Sequence, residues 1–374
     1  MPYYYTVLFM MLFMGLLEQY YFKNKLIIYL LSFIIITIGL SCSISRGDYY
    51  SYYYYFHDID IKNPILILEP GFFWLAYLIK LCTEDEFYLF LLAASLSIII
   101  KFLAIKRLNK FIHINCGYYF SLYFSTFLVY LDLGSIRFSI ATSFLFLATI
   151  YLLERKYITF YIVIILGILF HKSLMPALIL PILTQRKYLR VSLIISIISG
   201  LLLISLSKNE YVINILNSNY YLSKIINYSR FGSVRITFQL IKKILLIFFF
   251  YYVFKKEIKN KDGYIYICWV VIILSFCLYG LFFSNQLIAS RYLLMFGICE
   301  PIILIMIYRK LSLRSKRLYS LILFLYIIIN YGHSIYSNSN HINLYLPYKN
   351  YLLGDKQPYI TKSKQQELLR QSGI

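Results

Sequence analysis

Residues 89–100 read LFLLAASLSIII and residues 26–40 read LIIYLLSFIIITIGL, and continuous apolar runs of this kind decide the fold. A helix needs about 20 mostly apolar residues to cross a bilayer. Lipid offers backbone polar groups no water, so spanning segments are helices or closed barrels, and barrel strands alternate where these runs do not. Hydrophobic residues make up 60% of the chain and charged residues 14%, against about 25% charged in soluble domains. The sequence therefore predicts an all-α, polytopic transmembrane bundle.

The apolar runs predict about twelve spans within residues 1–332, followed by a polar external tail at 333–374. No basic segment or small-residue cleavage site marks the first run as a signal peptide, so we expect it to be retained. The predicted spans lie near 3–20, 26–42, 86–104, 117–132, 135–153, 157–170, 173–184, 190–207, 234–254, 263–283, 289–308 and 317–332.

Basic residues give the chain a formal net charge of +21. In a soluble protein this would suggest nucleic acid, but here the clusters occupy every second loop, as cytoplasmic loops of membrane proteins do. This assignment places both termini outside, with long external loops at about 43–86 and 207–232. The clusters are Lys23/Lys25, Lys106/Arg107/Lys110, Arg155/Lys156, Arg186/Lys187/Arg190, Lys255–Lys261 and Arg309–Arg317.

The stretch Pro64–Cys82 is apolar enough to be a further span, yet it contains Glu69-Pro70-Gly71 and Lys80. Counting it as a span would put the Lys106/Arg107/Lys110 cluster outside, against the positive-inside rule. We therefore interpret it as a re-entrant or interfacial helix, with a full span as the alternative. Six cysteines without a CxxC pair are interpreted as small apolar residues, and neither a metal nor a cofactor is expected.

The first external loop carries candidate site residues. The segment 46–57, RGDYYSYYYYFH, places Arg46, Asp48, Tyr49 and Tyr52 at the outer interface. Aromatic faces can stack on sugar rings, while Arg and Asp can bind phosphate and hydroxyl groups; the alternative is an aromatic interfacial belt containing an ion pair. Glu69 is either a base or sugar ligand, or a helix N-terminal carboxylate favoured by the helix dipole.

Further candidates interrupt or open apolar runs on the same predicted side. Arg137 opens the fifth span and contacts either a diphosphate or lipid headgroups. His171 breaks two apolar runs together with a lysine and a serine. Arginine presents a planar fork that suits phosphate oxygens, and further outer arginines suggest an anionic ligand, with lipid contact as the alternative for each. These are Arg230, Arg235 and Arg291.

Charges within the predicted spans are unusual because each costs about 3 kcal/mol at mid-bilayer. Lys242 and Lys243 fall in the ninth span and Glu300 in the eleventh. They pair across the bundle, line a cavity, or indicate a shorter span that begins later. The mid-membrane region is otherwise interpreted as apolar, which disfavours a polar path through both leaflets.

Several short motifs resemble the EpsG family, which groups with Wzy-type polymerases of O-antigen and capsule. Arg46-Gly47-Asp48-Tyr49 and Glu69-Pro70-Gly71-Phe72 are similar to its first external loop. The run from Ile136 to Ala141, Leu153-Glu154-Arg155-Lys156 and Leu169-Phe170-His171-Lys172-Ser173 are similar to its central signature. The resemblance covers most of the chain.

This resemblance implies transfer of a glycan from undecaprenyl diphosphate to another lipid-linked repeat unit, outside the cytoplasmic membrane of a bacterium. On that basis Arg137 and Arg291, with Arg230 or Arg235, would hold diphosphate. Asp48 or His171 would be the base, with Glu69 in reserve. Membrane lipids, a chain-length regulator and a flippase are the expected partners. The alternatives are a lipid-phosphosugar-dependent GT-C-like glycosyltransferase that adds single sugars, and a transporter or flippase for lipid-linked oligosaccharides.

Overall fold

The computed structural model describes residues 2–20, 48–59, 69–127, 131–132, 134–184, 238–261, 263–282 and 286–336. These residues form helices and no strand, which confirms the all-α class for the described part of the chain. Several predictions lie outside the described residues: the spans near 26–42 and 190–207, the second external loop, Arg46, Arg230 and Arg235, and the tail from 337.

The described helices follow one another in chain order. They are α1 Pro2–Tyr20, α2 Tyr49–Asp58, α3 Pro70–Cys82, α4 Phe87–Leu108, α5 Cys116–Phe127, α6 Ile136–Leu153, α7 Tyr157–Phe170, α8 Phe238–Asn260, α9 Gly263–Leu281, α10 Gln286–Met295, α11 Glu300–Lys310 and α12 Leu313–Tyr336. Two 3₁₀ segments, Lys172–Ile179 and Phe296–Cys299, and the single α-turn Leu180–Leu183 complete them.

The described residues divide into two compact units. The first runs to Met175 and resumes at Leu304; in it α6 packs between α4 and α7, α3 lies against α4 and α7, and α2 lies against α3. Helix α5 packs against α1 and α12 in the same unit. The second unit is Pro176–Ile303, where α9 contacts α8 and α10.

Four of the described helices are long and apolar enough to cross a membrane: Phe87–Leu108, Ile136–Leu153, Gly263–Leu281 and Ile288–Lys310. The chain is thus a multi-helix membrane protein by composition, and the prediction of about twelve spans is not confirmed. Where a span was predicted at 173–184, the chain forms a 3₁₀ segment with Pro176 inside it. Proline has no N–H to donate and clashes with the preceding turn, so a regular α-helix does not continue there.

Helix α3 tests the interpretation of the Pro64–Cys82 stretch. Pro70 stands in its first turn, where a missing N–H costs nothing. Its 13 residues extend about 20 Å, less than the hydrocarbon thickness of about 30 Å. This length favours the re-entrant or interfacial interpretation over a full span.

Polar side chains accept backbone N–H groups at the starts of α4 and α5. Asp85 Oδ1 accepts the Phe87 N–H at 2.9 Å where α4 begins. Asn115 Oδ1 accepts the Tyr118 N–H at 2.9 Å, and Glu18 of α1 accepts the Cys116 N–H at 2.7 Å, so α5 begins against α1. Caps of this kind satisfy N–H groups that lack a partner inside the helix.

Small residues allow α1 and α5 to cross closely. A Cβ added at Gly117 would lie 2.3 Å from the backbone nitrogen of Gly15. No side chain fits that separation, so the two backbones touch only because both positions are glycine. Close crossings at small residues are a common means of helix packing in lipid, where apolar burial alone does not drive association.

The charges that fall within the second unit's predicted spans pair with one another. Lys242 Nζ lies 3.2 Å from Glu300 Oε1, and Lys243 Nζ lies 3.3 Å from Glu300 Oε2. Lys243 also donates to the Leu293 carbonyl at 2.7 Å. Of the three interpretations left open by the sequence, pairing between helices is the one observed. Among the described cysteines, all are free thiols and only Cys82 is exposed.

Arg107 joins the end of α4 to the end of α6. Its Nε and Nη2 each donate to one oxygen of Glu154 at 2.5 Å, and its guanidinium lies 4.2 Å from the Tyr151 ring centre. Lys156 Nζ is 3.0 Å from the same carboxylate. These hydrogen bonds, Arg107 first, lower the pKa of Glu154 from 4.5 to about 2. The contact places two basic clusters at one end of the unit, in keeping with their assignment to one side.

Replacing Glu154 by Gln should lower the unfolding temperature at neutral pH, because Arg107 loses its counter-charge. A carboxyl whose pKa is lower in the folded chain stabilises above its ordinary pKa of 4.5, and that contribution is lost as pH falls toward about 2. Thermal unfolding in detergent should therefore show a difference that holds from about pH 7 to pH 5 and shrinks by about pH 3. Glu84→Gln, which removes an exposed carboxylate, is the control. An unchanged difference down to the lowest pH would contradict the assignment.

Candidate functional site

The sequence-predicted residues of the first unit meet at one end of its helices. Glu69 precedes α3, Arg137 lies in the first turn of α6, and His171 follows the last residue of α7. Asp48 precedes α2. The Arg107–Glu154 contact lies at the other ends of α4 and α6. One end of this bundle therefore holds the candidate site, which we define as Asp48, Glu69, Arg137 and His171.

Glu69 and Arg137 form the centre of the candidate site. Arg137 Nη1 donates to Glu69 Oε2 at 2.6 Å. The other carboxylate oxygen accepts the backbone N–H of Lys172 at 3.4 Å. Only 9% of the Glu69 side chain and 24% of the Arg137 side chain are exposed. Glu69 stands at the N-terminus of α3, as the helix-dipole alternative requires, but its side chain makes no capping hydrogen bond there. The carboxylate links α6 to the His171 segment.

A close backbone approach places Glu69 against α7. A Cβ added at Gly71 would lie 2.9 Å from both the Cβ and the carbonyl oxygen of Leu169. Glycine at this position lets the first turn of α3 rest on the last turn of α7. The carboxylate two residues earlier is thereby brought to the Lys172 amide.

Aromatic rings enclose the Arg137 guanidinium. The ring centres of Tyr52 and Phe72 lie 5.8 and 5.7 Å from its carbon, within the range of cation–π attraction. The Tyr52 hydroxyl is 3.4 Å from Ser135 Oγ. Burial raises the pKa of Tyr52, the neighbouring Arg137 cation opposes that shift, and Asp48 adds to it. Tyr52, expected to bind sugar, is thus buried as a wall of the Arg137 pocket.

Asp48 is the exposed carboxylate of the candidate site. Its carbonyl accepts the Tyr52 N–H at 3.2 Å as α2 begins. Its carboxylate lies near enough to the Tyr52 hydroxyl to raise that group's pKa. An ionised carboxylate at the margin of a buried cation can approach a hydroxyl group delivered from outside the protein.

Two contacts fix the orientation of the His171 ring. Its Nδ1 accepts the Ser173 N–H at 3.2 Å, and its ring meets Phe138 edge-on at 5.1 Å between centres. A nitrogen that accepts a hydrogen bond carries no proton, so the neutral imidazole holds its proton on Nε2. In this arrangement Nε2–H is a hydrogen-bond donor, which is a different role from the base suggested by the sequence.

Tyr49 lies in a neighbouring cluster rather than on the guanidinium. Its hydroxyl donates to Glu86 Oε1 at 2.8 Å, and its ring stacks on Phe90 at 5.5 Å. His57 Nε2 is 3.5 Å from the other Glu86 oxygen. Burial and Glu86 together raise the pKa of Tyr49. These contacts hold α2 on the start of α4.

Arg291, also a predicted ligand, is exposed on α10 in the second unit. Arg46, Arg230 and Arg235 lie outside the described residues. A role in diphosphate binding for all four stays a prediction. In the described part of the chain, His, Cys, Asp and Glu side chains form no group of three that could hold a metal ion.

A buried polar cluster in the first unit was not predicted from the sequence. Lys101 of α4 and Asp132, which precedes α6, pair at 3.1 Å with Ser97 and Ser139 beside them. This pair adds Lys101 and Asp132 to the charges that lie within the predicted spans. The available signal was weak: Ser97 and Lys101 stand four residues apart, one helical turn, within an apolar run.

A double-mutant cycle should measure the Glu69–Arg137 pair. Glu69→Gln and Arg137→Gln should each destabilise the chain, because each leaves a mostly buried charge without its partner. The double variant should lose less than the sum, with a coupling of about 1–3 kcal/mol. Unfolding in detergent is the measurement. Additive losses would show that the two side chains do not interact.

Comparison with known families accounts for the motifs. A family model described as the EpsG family matches residues 25–350. No curated protein and no solved structure matches the chain. The family is Wzy-type polymerase-like, so the match indicates a glycosyltransferase-like polymerase of polysaccharide biosynthesis. The match covers most of the chain and confirms the resemblance seen in the motifs: the chain belongs to the EpsG family.

Proposed function

We propose that the chain joins undecaprenyl-diphosphate-linked oligosaccharide repeat units into a surface polysaccharide at the outer face of a bacterial cytoplasmic membrane. One observation carries the proposal. An exposed carboxylate, a mostly buried arginine and an imidazole N–H lie at the same end of one helix bundle. A base, a cation and a hydrogen-bond donor are groups that can assist transfer from a lipid diphosphate.

The reaction is a substitution at a sugar carbon. The bond between the anomeric carbon of the growing glycan and its diphosphate oxygen breaks. A bond forms between that carbon and a hydroxyl oxygen of the second lipid-linked unit. The hydroxyl proton passes to Asp48, and undecaprenyl diphosphate leaves with the bonding electron pair. Asp48 suits the role of base because it is exposed beside the arginine pocket.

Arg137 is the proposed ligand of the leaving diphosphate. Glu69 engages one of its terminal nitrogens, and Nε–H is buried with no acceptor among the described residues. A buried donor left without an acceptor costs about 1–3 kcal/mol, so an oxygen of the ligand would be favoured there. Glu69 then acts as a positioning residue that orients the guanidinium, rather than as the reserve base.

His171 completes the proposed leaving-group site. Its Nε2–H would donate to a diphosphate oxygen as negative charge develops there, which is how preorganised donors lower a barrier. Tyr52 and Phe72 exclude water from the guanidinium and strengthen the interaction. Arg291, Arg230 and Arg235 are proposed to hold the diphosphate of the second lipid. Arg46 is proposed to contact the acceptor sugar, and Tyr49 to position α2 through its contacts with Glu86 and Phe90.

Single replacements should separate chemistry from folding. Asp48→Asn and Arg137→Lys should insert normally and lose elongation by roughly 100-fold or more, since a base and an oxyanion ligand each contribute on that scale. The measurement is glycan length after incubating purified variants in vesicles with lipid-linked repeat units. Asp58→Asn, at the exposed other end of α2, is the matched control and should elongate normally.

The same assay distinguishes the rival activities. Long glycans support the proposal, whereas addition of one sugar indicates a GT-C-like glycosyltransferase. Translocation of the lipid without a new glycosidic bond indicates a flippase. Normal elongation by the Asp48, Arg137 and His171 variants together would contradict this site.

Two replacements should separate a donor from a base at His171. Glutamine keeps an N–H near the position of Nε2, so His171→Gln should retain part of the elongation rate. His171→Phe keeps the ring shape but has no donor and should lose it. Because an amide cannot accept a proton, equal loss in both variants would favour the base role instead. Initial rates at saturating lipid substrate are the measurement.

A further inference from the structure

We infer that the buried pair Lys101–Asp132 is a positioning element that fixes Arg137 in the candidate site. The activity part of this inference rests on the proposed function, and the structural part does not. Neither residue touches the candidate site's charged groups in the described contacts. The pair instead binds the chain on both sides of Arg137, at Asp132 and at Ser139.

Lys101 is fully buried, and its ammonium has three hydrogen-bond acceptors. Nζ donates to Ser97 Oγ at 2.5 Å, Asp132 Oδ1 at 3.1 Å and Ser139 Oγ at 3.2 Å. An ammonium has three donors, so every one is used. The cation also lies 4.6 Å from the centre of the Tyr123 ring. A cation satisfied in this way has no donor left for a ligand.

Asp132 likewise accepts hydrogen bonds on both carboxylate oxygens. Its Oδ2 accepts the Tyr123 hydroxyl at 2.6 Å. Its Oδ1 accepts Lys101, Ser97 at 3.3 Å and Ser139. The carboxylate thus joins three helices: α4 through Lys101, α5 through Tyr123 and α6 through Ser139. Because both carboxylate oxygens are bound, the Asp132 side chain cannot change rotamer without breaking hydrogen bonds.

Arg137 lies between the two anchored points of the chain. Asp132 comes five residues before it, and Ser139 two residues after it. Both are bound by Lys101. The first hydrogen bond of α6, from Ser139 N–H to the Ser135 carbonyl at 3.0 Å, spans Arg137 as well. The start of α6 can therefore neither rotate nor slide without breaking the network.

The position of the network indicates that it orients Arg137 and does not mainly stabilise the fold. Replacing a buried ion pair by apolar residues of similar size often leaves a fold equally stable or makes it more stable. Charged groups are also rare among apolar spans and mark functional regions there. A misplacement of about 1 Å can cost roughly 100-fold in rate, so an element that fixes the Arg137 backbone has a large effect on catalysis.

The test removes both charges together. Lys101→Met/Asp132→Leu leaves no buried charge without a partner, so it should insert and unfold near the wild-type temperature. Its elongation rate at saturating substrate should fall roughly 10- to 100-fold, with a smaller change in KM. Repeating the Glu69–Arg137 double-mutant cycle in this background should give a reduced coupling. That second readout needs no enzymatic activity.

The Arg107–Glu154 pair supplies a matched control. It joins the same two helices at the opposite end, and Arg107→Met/Glu154→Leu should leave both the elongation rate and the Glu69–Arg137 coupling unchanged. Equal losses in the two double variants would overturn the inference, since any damage to α4–α6 packing would then suffice. An unchanged coupling and rate in the Lys101/Asp132 variant would also overturn it.

If the Lys101→Met/Asp132→Leu variant does not insert, Ser139→Ala provides a second test. It removes one hydroxyl and leaves both charges paired, so folding should persist. A reduced Glu69–Arg137 coupling in Ser139→Ala supports the inference, and an unchanged coupling overturns it. If the wild-type chain makes no polymer, the proposed function fails, while the coupling measurement still decides the positioning role.

Discussion

Charged side chains in an apolar bundle must find partners inside the protein, and this constraint organises the first unit. Lys101 pairs with Asp132, Arg137 with Glu69 and Arg107 with Glu154. Each pair joins segments far apart in sequence, and together they fix α6 against α3 and α4. Because a charge left alone among apolar helices is so costly, breaking one pair affects the helices on both sides. At the end of α6 that holds the candidate site, helix packing and site geometry therefore depend on the same contacts, those of Lys101–Asp132 and Arg137–Glu69.

The pairs differ in the solvent exposure of their side chains. Lys101 and Asp132 are wholly enclosed, whereas Arg137 retains 24% exposure of its side chain. Asp48 is exposed beside it. At the start of α6, buried Ser139 contacts this enclosed pair, and Arg137 two residues earlier is partly exposed.

The sequence predicted the site better than the architecture that holds it. Glu69, Arg137 and His171 each flank or interrupt an apolar run, and alternating charge placed them on one side, so their convergence followed from local signals. Spacing gave no sign that Glu69 would pair with Arg137, 68 residues away, or that Lys101 would meet Asp132. Pairing is a tertiary property. The span predicted near 173–184 differs for a related reason, because apolar composition does not reveal that residues 172–179 form a 3₁₀ helix containing Pro176.

The contact between Glu69 and residue 172 is made through the peptide group, since the carboxylate receives the backbone N–H and not the lysine ammonium. Side-chain identity there is consequently irrelevant to the link. Any residue with an amide hydrogen at position 172 can form this hydrogen bond. Only proline, which has no amide hydrogen, cannot form it.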